Sequence, residues 1–137
     1  MLTLSAKAVY GLTAVLALAR NHSNGPMQIR DIADANNIPQ HYLEQLLVTL
    51  KKSGIVESFR GSQGGYALAD SPLHITVLQV LSSLDGKLEI VPEQKRDGAL
   101  LFFWNSIERG VKELLTKSLE ELVTEKQASE KQFVYHI

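Results

Sequence analysis

The segment Arg60-Gly61-Ser62-Gln63-Gly64-Gly65-Tyr66 constrains the fold of this chain more than any other. A helical pattern closes at Ser53-Gly54, and a short apolar run, Ile55-Val56-Glu57-Ser58-Phe59, leads into the glycines. A second run, Tyr66-Ala67-Leu68, leads out of them. Glycine supplies the positive φ angles that a tight or bulged loop needs, so two short strands joined by this turn form a hairpin. The tip carries Arg60 and small polar residues, with no apolar side chain to bury. A slim cationic tip suits a nucleic-acid backbone or a minor groove. Many glycine hairpins are only turns, and the helices that precede this one give it meaning.

Leu4, Ala8, Gly11, Leu12, Val15, Leu16 and Ala19 recur at helical spacing behind Ser5, a fitting N-cap. That helix is expected to stop near Asn21, ahead of Ser23-Asn24-Gly25-Pro26. A short helix over Gln28–Ala35 then ends at Asn36-Asn37, which tolerate a left-handed turn. Pro39 opens the next helix, whose buried stripe is Tyr42, Leu43, Leu46, Leu47 and Leu50 and which Gly54 closes. A short helix, a tight turn and a second amphipathic helix make a helix-turn-helix, and the hairpin makes it winged. Periodicity alone also allows a generic helical pair; the hairpin decides against it.

Past the wing, Thr76 is expected to cap a helix over Val77–Leu84, stopped by Asp85-Gly86. Lys87–Asp97 is polar, contains Pro92 and reads as a loop. From Gly98 onward Leu100, Trp104, Ile107, Val111 and Leu114 recur at alternating spacings, a helix with a seam. Ser118-Leu119-Glu120-Glu121 resembles a capping box, predicting a break and a short final helix through Val123. The fold class is therefore mainly α, a winged helix-turn-helix domain with a long C-terminal dimerisation helix. Its organisation is 1–86 for the DNA-binding domain, 87–97 for the loop, 98–126 for the dimerisation helix region and 127–137 for a tail.

The net charge of −1 argues at first against nucleic acid, but the basic residues outnumber the acids up to Asp70 and the balance reverses after it. A local basic face, doubled in a dimer, is what phosphates meet. No charged and apolar leader and no membrane-length apolar run is visible, so the chain reads as cytoplasmic. With no cysteine, disulfides and thiolate metal sites are excluded.

The first turns of the second helix of such a motif face base edges. Gln40, His41, Glu44 and Gln45 stand there. Gln can pair with adenine and Glu can accept from a cytosine amino group, while a carboxylate near phosphates serves discrimination more than affinity. Four polar residues on a solvated helix face are the plain alternative. Lys51 and Lys52 suit phosphates and equally suit a helix C-terminus. The wing contributes Arg60, Ser62, Gln63, Gly64 and Gly65.

The runs Leu4–Leu12, Asp31-Ile32-Ala33, Tyr42–Leu46, Gly54-Ile55-Val56 and Arg60-Gly61 with Gly64-Gly65-Tyr66 resemble the Rrf-type (Rrf-two) winged-helix regulators, from Met1 to about Gly86. The resemblance implies a homodimeric DNA-binding transcription factor, with Glu44 and Gln45 at bases and the wing near Arg60 in the minor groove. Cluster-binding members carry cysteines in the loop before the long helix; Lys87–Ala99 has none, so an iron–sulfur cofactor is not expected. Together with Trp104–Ile107 and an aromatic end closing in Ile137, this is similar to the cluster-free branch that represses cysteine metabolism. There the resemblance implies cysteine synthase as a partner, with Tyr135, His136 and Ile137 as its contact; a free end or packing on the protein's own dimer competes with that.

The seam Leu100, Trp104, Ile107, Val111 and Leu114 reads most simply as a dimer interface, matching a palindromic duplex site; folding back on its own domain is the alternative. His22, His41, His74 and His136 lack metal-site spacing, no serine sits in a nucleophile elbow, and no helix follows the glycines as in a phosphate loop, so an enzyme is not expected. A protein-interaction adaptor, or a small-molecule-sensing regulator of the same fold acting on other genes, remains open at this level.

Overall fold

The computed structural model describes residues 3–136, with side chains described through Gln132; Ile137 lies outside the described residues. Helix α1 (Ala6–Arg20) starts where sequence places it, because the Ser5 hydroxyl accepts from the Ala8 amide at 3.1 Å. Helix α2 (Ile29–Asn36) ends as Asn37 turns left-handed at φ 54°, and α3 (Gln40–Lys52) follows. Pro39 sits just outside α3, at its N-cap position. Strands β1 (Val56–Phe59) and β2 (Gly65–Leu68) pair antiparallel, with Val56 opposite Leu68 and Phe59 opposite Gly65. Helix α4 (Val77–Asp85) opens on a reciprocal cap between Thr76 and Gln79. After the loop, α5 (Leu101–Leu115) and α6 (Leu119–His136) complete the chain.

The core gathers the apolar stripe of α3 (Leu43, Leu46, Leu47, Leu50) against Val15 and Leu18 of α1, Ile32 of α2 and Val80 of α4. Burying each such side chain stabilises by about 1.5–3 kcal/mol. Tyr42, expected in that stripe, is only half-buried and meets Tyr10 edge-on, with ring centres 5.7 Å apart. Gly11 explains a glycine inside a helix. A Cβ there would lie 2.2 Å from Leu84 Cδ1, so its absence lets α1 and α4 close. The same two helices are tied at their ends, where the Ser5 amide donates to Asp85 Oδ2 at 3.0 Å.

The C-terminal region departs from expectation. The final helix, predicted to stop at Val123, runs to His136, through most of the stretch expected to be a tail. No glycine or proline interrupts Leu119–His136, and Lys126 pairs with Glu130 one turn on at 2.8 Å. Leu119 and Val123 enter the same core as α1 and α3. The chain ahead of α6 is pinned beside α4, because the Val77 amide donates to Lys117 O at 3.0 Å and the Leu119 amide to Ile75 O at 2.8 Å.

Candidate nucleic-acid interface

On α3 the apolar stripe faces inward, which leaves Gln40, His41, Glu44 and Gln45 exposed together on the opposite side. Val48 joins them at 47% exposure, one turn beyond Glu44. Helix α3 is clamped to the wing, because Lys51 Nζ donates to Ser58 Oγ of β1 at 2.6 Å. Lys52 stays exposed beside it.

In the wing, Arg60, Ser62 and Gln63 are exposed at the tip, but Gly64 is buried. A Cβ on Gly64 would lie 2.4 Å from Phe59 O, and one on Gly65, at φ 138°, 2.2 Å from Met27 O. Gly64 is needed bare because the turn closes on itself there, and its backbone still borders the clefts on both sides of the wing. Gly65 permits a close pairing that sequence did not show. The Met27 amide donates to Tyr66 O at 2.8 Å and the Tyr66 amide to Met27 O at 2.7 Å, so the segment before α2 borders the wing as an extra strand-like edge.

That pairing brings Gln28 and Arg30, which sequence reasoning missed, to the wing. With Gln40, Ser58 and Arg60 they line a cleft of about 480 Å³ between α2, α3 and the hairpin. Nothing local in the sequence marks Arg30, because its proximity to Arg60 depends on the Met27–Tyr66 bridge. The surface offers amide, hydroxyl and guanidinium donors on a convex helix and hairpin, a set suited to base edges and phosphates.

The seam of α5 is left largely open by its own chain. Leu100, Ile107 and Leu114 are exposed at 52%, 38% and 71%, while Trp104 and Val111 are half-buried. Phe102 and Phe103 add to the open apolar area, and Phe103 meets Trp104 edge-on at 5.1 Å. Tyr135 and His136 end α6, and Ile137, the last of the expected partner contacts, lies outside the described residues.

A family model described as an iron-dependent transcriptional regulator, Rrf2, matches residues 4–125. The chain belongs to the Rrf2 family of transcriptional regulators. Like other Rrf2 proteins it is a winged helix-turn-helix protein, and similarity runs nearly end to end. It is 35% identical to the HTH-type transcriptional regulator CymR of Bacillus subtilis (strain 168), over 98% of this chain and 99% of that one. The solved structure of CymR (YrzC), the global cysteine regulator of B. subtilis, superposes with a TM-score of 0.78 at 38% identity, covering 90% of this chain and 98% of that one. IscR of T. potens superposes with a TM-score of 0.77 at 34% identity, covering 96% and 91%.

The Rrf2 description names iron dependence, which turns attention to the metal-binding side chains of this chain. The chain has no cysteine, and among the described residues no three His, Asp or Glu side chains converge. The loop before α5 is organised instead around Glu108, a buried carboxylate on that helix. It accepts from Arg96, from the Ile90 amide at 3.3 Å and from Lys112 Nζ at 3.2 Å. Burial pushes its pKa up, but these donors outweigh burial and hold it below the usual Glu value. Among the described residues no helix is long and apolar enough to cross a membrane.

Proposed function

We propose that the protein is a dimeric, sequence-specific repressor of cysteine or sulfur metabolism genes. Base edges are read by Gln40, His41, Glu44 and Gln45, with Lys52 and the wing residues Arg60, Ser62 and Gln63 on the backbone. The observation that carries this reading is the polar face of α3, uncovered and clamped to a cationic hairpin through Lys51 and Ser58. The gene class is supported by the end-to-end similarity to a cysteine regulator. Dimerisation is supported by the open seam of Leu100, Ile107 and Leu114. Two-fold pairing would present two α3 helices to half-sites about 34 Å apart, or a multiple of that spacing. The protein acts by binding rather than catalysis, without a resident cluster, in the cytoplasm where the chromosome lies.

Selection from a random duplex pool, followed by a salt-titrated shift assay, tests the reading. A palindromic consensus is expected, with Arg60→Ala weakening every duplex and Glu44→Ala relaxing base preference. Equal binding by wild type and both variants would overturn it. Cysteine synthase as partner belongs to the same proposal, and co-purification with and without residues 135–137 tests it.

A further inference from the structure

Among the described residues Arg30 forms one ion pair. Its Nε lies 3.9 Å from Asp31 Oδ1, with both side chains more than half exposed, an ion pair of little energetic consequence. Yet Arg30 borders the clefts on both sides of the wing, the one shared with Arg60 and another shared with Asp31, Ser62 and Gln63. The charged groups of the first cleft are of one sign. Two arginines, the amides of Gln28 and Gln40 and the hydroxyl of Ser58 line it beside the apolar surfaces of Ile29, Phe59 and Tyr66, and no carboxylate is among its lining residues. Lys51 adds a third cation through its bond to Ser58. The Met27–Tyr66 pairing holds α2 against the hairpin, so Arg30 and Arg60 share this cleft by construction.

We propose that this cleft seats a backbone phosphodiester of duplex DNA, gripped from the α2 side by Arg30 and from the wing side by Arg60. Guanidinium groups approach phosphate oxygens with paired N–H donors, and the neighbouring amides and hydroxyl complete a donor-rich wall. Arg30 then sets where the duplex backbone enters between helix and hairpin, and contributes affinity without sequence information. The assignment deepens the DNA-binding reading above and rests on it.

The test compares wild type, Arg30→Ala, Arg30→Lys, Arg60→Ala and the double alanine variant. Each is titrated with the duplex selected above and with a mixed-sequence duplex, at several salt concentrations. Arg30→Ala is expected to weaken both duplexes by a similar factor, roughly five- to tenfold, and to flatten the logarithmic salt slope by about 1. Arg30→Lys should retain the slope. Because both arginines hold one phosphate, the double variant should lose less than the product of the single losses. Circular dichroism and a thermal melt show that the variants are folded. Wild-type affinity and slope in Arg30→Ala, or a loss confined to the selected duplex, would overturn the assignment while leaving the DNA-binding reading intact. A wild type that shifts neither duplex would remove both.

Discussion

Lys51 of α3 donates from its ammonium to the hydroxyl of Ser58 on β1 at 2.6 Å, so a cation at the end of one helix is tied to the wing beside it. Removing the acceptor while keeping the Lys51 charge tests that bond. Ser58→Ala should cost under ~1 kcal/mol of stability, as expected for an exposed hydrogen bond. It should also weaken all duplexes a few-fold while leaving base preference unchanged. A denaturant titration paired with a shift assay reads both.

Gly11 and Leu84 occupy the same space, since a Cβ on Gly11 would sit 2.2 Å from Leu84 Cδ1. Alanine is the better helix former by ~1 kcal/mol, yet Gly11→Ala should destabilise by about 1–3 kcal/mol because the buried Leu84 side chain must leave its packed position. Combining it with Leu84→Ala should cost less than the two single losses added together, as the second change opens the room the first needs. Chemical denaturation of the four-member cycle measures the coupling.

Glu108 holds the loop before α5 as a buried carboxylate bonded to Arg96, Lys112 and the Ile90 amide. Its pKa lies below the ordinary value of 4.5, so the folded state binds this proton less readily than the unfolded chain. The contribution is therefore complete above that ordinary value and fades as the pH falls through the lowered one. Glu108→Gln should be less stable than wild type at neutral pH, by about 1.5–3 kcal/mol for lost charged hydrogen bonds. The gap should narrow on acidification. Urea melts across an acidic pH series show whether the two curves converge.

Leu114 is 71% exposed on the open side of α5. Leu114→Lys should leave the folded subunit intact, since little burial is lost within it, and should shift sedimentation toward the single-subunit mass. Duplex affinity should fall with it, because paired half-site contacts are lost. An unchanged dimer mass would place the interface elsewhere.

The winged helix-turn-helix was legible in the sequence because its signals are local. Ser5, Asn37, Thr76 and the glycines of the wing mark element ends through bonds and angles reaching only a few residues along the chain. The four polar residues of α3 were legible for a related reason, since a helical stripe that buries Leu43, Leu46, Leu47 and Leu50 must expose what lies opposite. The length of α6 was not read. Its polar stretch from Gln127 looked like the start of a tail, whereas helix formation there needs only the absence of breakers and docking through Leu119 and Val123.

Amino-acid order by itself determined where the helices and strands of the winged domain begin and end, which faces are apolar, and that no thiolate can hold a metal. Tertiary structure alone decided that Met27 pairs with Tyr66 beside Gly65, that Glu108 is buried among cations, and that Arg30 borders the same cleft as Arg60. Each of those depends on contact between distant segments, as with Met27 against Tyr66 or Ser5 against Asp85, 80 residues apart. Periodicity reports which side of an element is buried, but carries no record of the partner it will meet or the register in which they dock.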